Sequence, residues 1–325
     1  MIVGGWRGRR RRRVRGEPFP PAWLEILARN APFVARLDAA DRARLLGDVQ
    51  VLVAEKHFIA AGGMEITDEV RVTIAAAAAR LVIPLDVDRY DDLTEIVVYP
   101  SAYRHPGADP ADGAVLGEAH AWGVVVLAWD AVLAGMRNPG DGHCTAVHEF
   151  AHVLDRADGA FDGAPELHAS EHYRPWATIM QHGFVRLRRR DRTLRRVLRE
   201  YGATNEAEFF AVATEAFFER PGDLRRRAPA LYAELAEAAS GFRQALLLWP
   251  GNPRALAGTD EARLAHARLA LESGDLALAE SLAAEMESTE ARELAAAITV
   301  AQRRRDRALR RSATLRRSLL AVAIV

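Results

Sequence analysis

Val147-His148-Glu149-Phe150-Ala151-His152-Val153-Leu154-Asp155 sets His-Glu-x-x-His inside an apolar helical pattern. On an α-helix, positions i and i+4 lie on one face, one turn apart. His148 and His152 therefore aim two imidazoles at one point. Glu149, next to the first histidine, can reach a water held there. Two neutral nitrogen ligands and a carboxylate that takes a proton are what a zinc hydrolase needs. The motif also arises by chance, so its surroundings carry the argument.

Upstream, Asn138-Pro139-Gly140-Asp141-Gly142 is a turn that delivers the chain to this helix. His143 and Cys144, at the turn or in the first helical residues, are set aside as ligands. Before the turn the period is that of strands. Gly123–Trp129 is β-branched and reads as a strong strand, Gly113–Glu118 as a weaker one, and Glu95–Tyr99 as a short one ended by Pro100. Asp130 is expected to cap a short helix through Met136. A small sheet leading into such a helix is the organisation of zincin peptidases, where an edge strand binds the substrate backbone by strand addition. Residues 123–128 are the candidate for that strand. Further back, helices are expected at 22–29, at 39–54 behind a cap at Asp38, and from a Thr67-Asp68 cap through Leu81. Residues 57–66, with Gly62-Gly63, read as a loop or turn.

Downstream, 156–168 reads as a loop, 170–190 and 191–200 as helices, Asn205–Glu219 as a strong helix ended by Arg220-Pro221-Gly222, and 223–248 as one more. A catalytic zinc usually has three protein ligands, so one is missing. Asp158, six residues after His152, is one candidate. That arrangement needs a glycine three residues after the second histidine, where this chain has Asp155. The other candidate is a glutamate on a later helix, within Tyr201-Gly202-Ala203-Thr204-Asn205-Glu206-Ala207-Glu208-Phe209-Phe210-Ala211. The plain alternative for Glu208 is a capping box with Asn205, and for Tyr201 a packed aromatic before a helix. Asp155 is either an acceptor that orients a ligand histidine or a polar residue at the helix end.

With His148-Glu149-Phe150-Ala151-His152, that downstream stretch resembles the Mlc titration factor A family of bacterial zinc metallopeptidases. It is also similar to the catalytic domain of anthrax lethal factor, a gluzincin whose fold that family shares. Phe19-Pro20, Glu55-Lys56-His57-Phe58, Glu65-Ile66-Thr67-Asp68-Glu69, Val98-Tyr99-Pro100-Ser101 and Asp141-Gly142-His143 fit as well. The resemblance runs from about residue 17 to about 250. It implies one Zn2+ per chain on His148, His152 and Glu208, Glu149 as general base, and Tyr201 as a hydrogen-bond donor to the oxyanion. Lethal factor has a further glutamate four residues after its ligand. That position is Val212 here, which leaves Glu215 as the candidate for orienting a ligand. The resemblance also implies aminopeptidase-like hydrolysis of short peptides and binding of a glucose-responsive transcriptional repressor, hence a link to sugar uptake.

Composition bounds the rest. The chain has 325 residues, half of them hydrophobic, and zero formal net charge, which argues against direct nucleic-acid binding. Of 44 Lys and Arg, only Lys56 is a lysine, and Arg gathers at 7–15, 186–199 and 303–317. These runs are read as solvated faces. The single Cys144 excludes an intramolecular disulfide and suits a reducing cytoplasm, the expected location. No membrane span is expected, and Met1–Trp6 does not have the order of a signal peptide. The expected fold class is α+β, mainly helical, zincin-type, with a small sheet beside the active-site helix and a C-terminal helical-hairpin extension. The expected domains are a basic disordered arm at 1–16, a metallopeptidase domain at 17–250 and a tetratricopeptide-like extension at 251–325, with the break at Trp249–Pro253. The rival reading is a non-catalytic partner-binding protein on the same scaffold.

Overall fold

A computed structural model describes residues 3–240 apart from 84, 106–113, 121, 157–160, 166 and 168–172, and beyond them 264, 267, 268, 270, 271, 276–284 and 290–303. The chain divides into two units, Met1–Gly241 and Phe242–Val325. The first contains helices α1 (Val3–Arg15), α2 (Pro21–Asn30) and α3 (Ala39–Glu55), strand β1 (His57–Ala60), helix α4 (Asp68–Val82), and strands β2 (Glu95–Tyr99), β3 (Gly117–His120) and β4 (Val124–Ala128). It continues with helices α5 (Trp129–Arg137), α6 (Thr145–Asp155), α7 (Tyr173–Arg188), α8 (Glu206–Glu219), α9 (Pro221–Arg227) and α10 (Pro229–Ser240). The class is mainly helical α+β.

The core is built round α4. Thr67 opens it, its hydroxyl accepting from the Val70 N–H. Every residue from Val72 to Val82 is buried, and α4 packs against α2, α3, α5 and α6. The small run Ala75–Ala79 lets those neighbours come close, while Val72, Ile74 and Leu81 supply transfer energy of about 1.5–3 kcal/mol each. Asp38 caps α3 by accepting from the Asp41 N–H at 2.9 Å. At the other end of α3, Lys56 is buried and its ammonium donates to the carbonyls of Tyr90 and Leu93.

The sheet has the order β1-β2-β4-β3, with β1, β2 and β4 parallel and β3 antiparallel at one edge. Three expectations change here. Residues 57–60, expected in a loop, are the other edge strand. They are largely exposed, so they lack the apolar alternation that marks a half-buried strand. The strand expected at 113–118 lies at 117–120, and residue 113 is outside the described residues. Residues 123–128, expected as the edge strand for substrate, hold β4 in the interior, with β2 and β3 on either side. Its apolar run is that of a strand buried on both faces. Gly123 leads into it at φ +76, where a Cβ would meet the Asp92 carbonyl at 2.1 Å.

Helix boundaries differ in three places. Residues 3–15, expected to be unstructured, form α1, because Arg7, Arg11 and Arg15 recur on one face and meet carboxylates from distant segments. Arg11 is buried against Glu55, Asp88 and Asp91, and Arg15 reaches the buried Asp48 at 2.6 Å. Residues 191–200, expected as a helix, make two single 3-10 turns at Leu194–Arg196 and Glu200–Ala203. The Asp191 carboxylate accepts the N–H groups of Thr193 and Leu194 and starts a turn instead. The helix expected at 223–248 is split at Pro229, which has no N–H to continue α9.

In the second unit, α11 (Leu276–Ala284) and a helical segment at 290–303 share a buried cluster of Ala267, Ala270, Ala279, Ala283, Ala291, Leu294 and Ile298. The expected break at Trp249–Pro253 lies outside the described residues. Among those that are described, no helix is long and apolar enough to cross a membrane.

Candidate active site

Helix α6 packs against α4, α5, β3, β4 and α8, and nearly all of it is buried. His148 and His152 leave its surface one turn apart. Their Nε2 atoms stand 3.2 Å from each other. Helix α8 brings the third group. Asn205 caps it by accepting from the Glu208 N–H at 2.9 Å. The Glu208 side chain turns away from that cap towards the histidines, with Oε2 3.0 Å from His148 Nε2 and 3.5 Å from His152 Nε2. The capping reading is thus realised in Asn205 alone.

Ligands about 2.05 Å from a tetrahedral ion stand about 3.3 Å apart, as simple geometry on usual Zn–N and Zn–O lengths requires. Distances of 3.0, 3.2 and 3.5 Å fit that edge. Among the described residues these three are the one group of His, Cys, Asp and Glu spaced to hold a metal ion. The residues therefore fit the metal that the chemistry asks for.

Glu215, two turns after Glu208, is fully buried beneath the site. It lies 2.7 Å from His148 Nδ1, so its carboxylate fixes that ring's tautomer and leaves Nε2 to ligate. The same carboxylate accepts the Cys144 N–H at 2.8 Å at the start of α6 and a contact from Arg199. His152 Nδ1 is buried without a hydrogen-bond partner among the described residues.

Electrostatics follow from this crowding. Burial lowers His148, but its hydrogen bonds to the accepting carboxylates of Glu208 and Glu215 outweigh it and raise its pKa to about 9. Burial lowers His152. Burial raises Glu208, but its bonds to both histidines hold it well below the usual carboxylate range. Glu149 is buried, and burial pushes its carboxyl up to about 7, with Glu208 and Glu215 adding to the shift and His148 opposing it. The backbone of β3 passes directly over Glu149. A Cβ at Gly117 would lie 2.6 Å from Glu149 Cγ and 2.8 Å from Oε1.

Tyr201 is half exposed, its ring 5.9 Å from that of His148. Burial and a hydrogen bond to Glu208 push the phenol up to about 12, so it stays a proton donor. His148, Glu149, His152, Tyr201 and Glu208 line one cleft of about 690 Å³, together with Gly117, Arg156, Phe161 and Arg199. Arg156, Phe161 and Arg199 were not legible in the sequence, where they sit in Arg runs and loops. Asp155 is fully buried, and Asp158 lies outside the described residues. The Cys144 thiol is buried and pushed up to about 12 by burial, and His143 lies at the cleft wall; neither belongs to the metal-spaced group.

A family model described as glucose-regulated metallo-peptidase M90 matches residues 6–238. An uncharacterized protein of Synechocystis sp. is 36% identical over 240 residues, 71% of this chain and 87% of that protein. Proteins named Mlc titration factor A are similar too. The one from Edwardsiella ictaluri is 29% identical over 67% of this chain and 88% of its own length, and that from Yersinia pestis 28% over 65% and 80%.

Proposed function

The chain belongs to the glucose-regulated metallo-peptidase M90 family, and on that premise we propose that it is a zinc-dependent peptidase acting at the cleft over α6. One observation carries the reading: two imidazoles and a carboxylate at tetrahedral spacing, with a buried carboxylate beside them. His148, His152 and Glu208 hold the ion. When bound, Zn2+ supplies Lewis acidity to the scissile carbonyl and the attacking water.

The chain's own residues do the rest. Glu149 takes a proton from the water and returns it to the leaving amine. The raised pKa of its carboxyl suits both roles. Tyr201 donates its phenolic hydrogen bond to the developing oxyanion. Glu215 holds His148 in the ligating tautomer. The edge strand beside the site is β3, not β4, so β3 takes the extended peptide. The glycine at 117 keeps its backbone close to Glu149.

The reading extends to aminopeptidase-like hydrolysis of short peptides in the cytoplasm. By resemblance, and in line with the name Mlc titration factor A carried by relatives, the chain also binds a transcriptional repressor. The rival, a partner-binding protein without catalysis, is separated by Glu149→Gln. That variant abolishes peptide hydrolysis, keeps stoichiometric zinc and keeps partner binding. Hydrolysis that survives it, or full zinc retention in Glu208→Ala, overturns the assignment.

A further inference from the structure

We propose that Arg156 is the residue by which the cleft recognises a carboxylate of its substrate, close to the bond that is cut. The inference rests on the peptidase reading above and names a substrate class for it.

Arg156 follows His152 by one helical turn, at the C-terminal cap of α6. Its guanidinium lies over the Phe161 ring, 4.2 Å from the centroid, and the other neighbour of that ring is His152, at 5.0 Å between centroids. One aromatic ring therefore separates the cation from a metal-spaced histidine. With separations of 4.2 and 5.0 Å, the cation stands no further from that imidazole than two to three residues of extended peptide, at about 3.5 Å each.

Among the described residues no hydrogen bond or ion pair engages the guanidinium. Its Nε and Nη1 are buried and have no hydrogen-bond acceptor among the described residues. A partly buried cation with unmet donors is unfavourable unless something meets them. The cleft's other arginine, Arg199, also has a buried Nε without an acceptor among the described residues, but its Nη2 is held by Glu215. Of the cleft's carboxylates, Glu208 is engaged with histidines and Glu118 with His105 and His120, Glu215 behind the cleft is held by His148, and Glu149 is reserved for proton transfer. The guanidinium lies over Phe161 on the cleft wall, and a carboxylate entering the cleft meets it as a planar donor group suited to bidentate pairing. That carboxylate is either the C-terminus of a short peptide or an Asp or Glu side chain next to the scissile bond.

The test uses the full chain loaded with zinc. Ala-Ala-Ala is compared as free acid and as C-terminal amide, and Ala-Asp-Ala amide with Ala-Asn-Ala amide. Wild type favours the carboxylate member of at least one pair by at least tenfold in kcat/KM, and the pair that responds identifies the source. In Arg156→Gln the ratio falls to about one, while Arg156→Lys keeps part of it. The same pairs are then titrated calorimetrically into Glu149→Gln, with and without Arg156→Gln. The preference in binding appears there and vanishes with the arginine. A ratio near one for both pairs in wild type, or a ratio unchanged by Arg156→Gln, overturns the proposal. Absence of all hydrolysis in wild type would refute the peptidase reading instead, and the binding titration would still decide the role of Arg156.

Discussion

At the scale of single residues, Glu215 ties the site together. One carboxylate fixes the His148 tautomer, receives the Cys144 N–H that begins α6, and meets Arg199. The site's proton content follows from the same contacts. On the proposed ligand set His148 must be neutral to ligate, yet its hydrogen bonds with Glu208 and Glu215 raise its pKa to about 9. A base with a raised pKa keeps its proton below that value, so metal competes with the proton there. Zinc uptake at pH 7 therefore releases about one proton, and apparent affinity rises up to about tenfold per pH unit towards pH 9, then levels. Calorimetry in buffers of different ionisation enthalpy counts the proton; zero release with flat affinity would remove His148 from the ligand set. Gly117 makes a second case. Gly117→Ala pushes a methyl into Glu149, with a loss of kcat on the order of a hundredfold from misplacement. The melting temperature should stay within a few degrees. Full activity in this variant would show that Glu149 moves freely under β3.

At the scale of elements, α1 is held by charge. Its exposed residues are mostly arginine, and what fixes it is the meeting of Arg11 with Glu55 and Asp91. Arg11→Met removes the cation that Glu55 meets and leaves Asp91 with the more exposed Arg7 alone. Discounted for the partial exposure of Asp91, the loss is about 2 kcal/mol, read from urea unfolding. Exchange protection in α1 should fall first; an unchanged midpoint would mean that α1 docks by other contacts. This helix also marks a limit of sequence reading. The periodicity of α3, α4 and α8 and the caps at Asp38, Thr67 and Asn205 are local signals, and the helices formed where those signals stand. The arginine face of α1 has partners 33 to 84 residues away, which no local pattern shows. The same holds for β1, which is a strand only because β2 pairs with it, and for the place of β4, since strand order is not written in any strand. In the cleft, the His-Glu-x-x-His face was legible by spacing. Glu208 came with its Tyr201 context through resemblance. Arg156 and Phe161 meet only in three dimensions.

At the scale of the whole molecule, the family match, residues 6–238, falls within the first unit, Met1–Gly241. Every residue of the cleft lies there too. A chain ended after Gly241 is therefore expected to bind zinc in equal stoichiometry and to hydrolyse peptides at a rate within about threefold of the full chain. Loss of zinc from that shortened chain would give residues 242–325 a part in forming the site.

The chain's one lysine has a practical corollary. Lys56 is buried at the end of α3, tied to two carbonyls, and burial brings its amine down to about 8. Amine-directed dyes and cross-linkers thus find no side chain to attack while the fold is closed. Opening of the junction between α3 and the sheet exposes a single side-chain amine, whose pKa returns towards the ordinary lysine value of about 10.4 as burial is lost, so its labelling is read at alkaline pH. The chain carries its own built-in reporter, in which the rate of acylation at position 56 clocks how often that junction breathes.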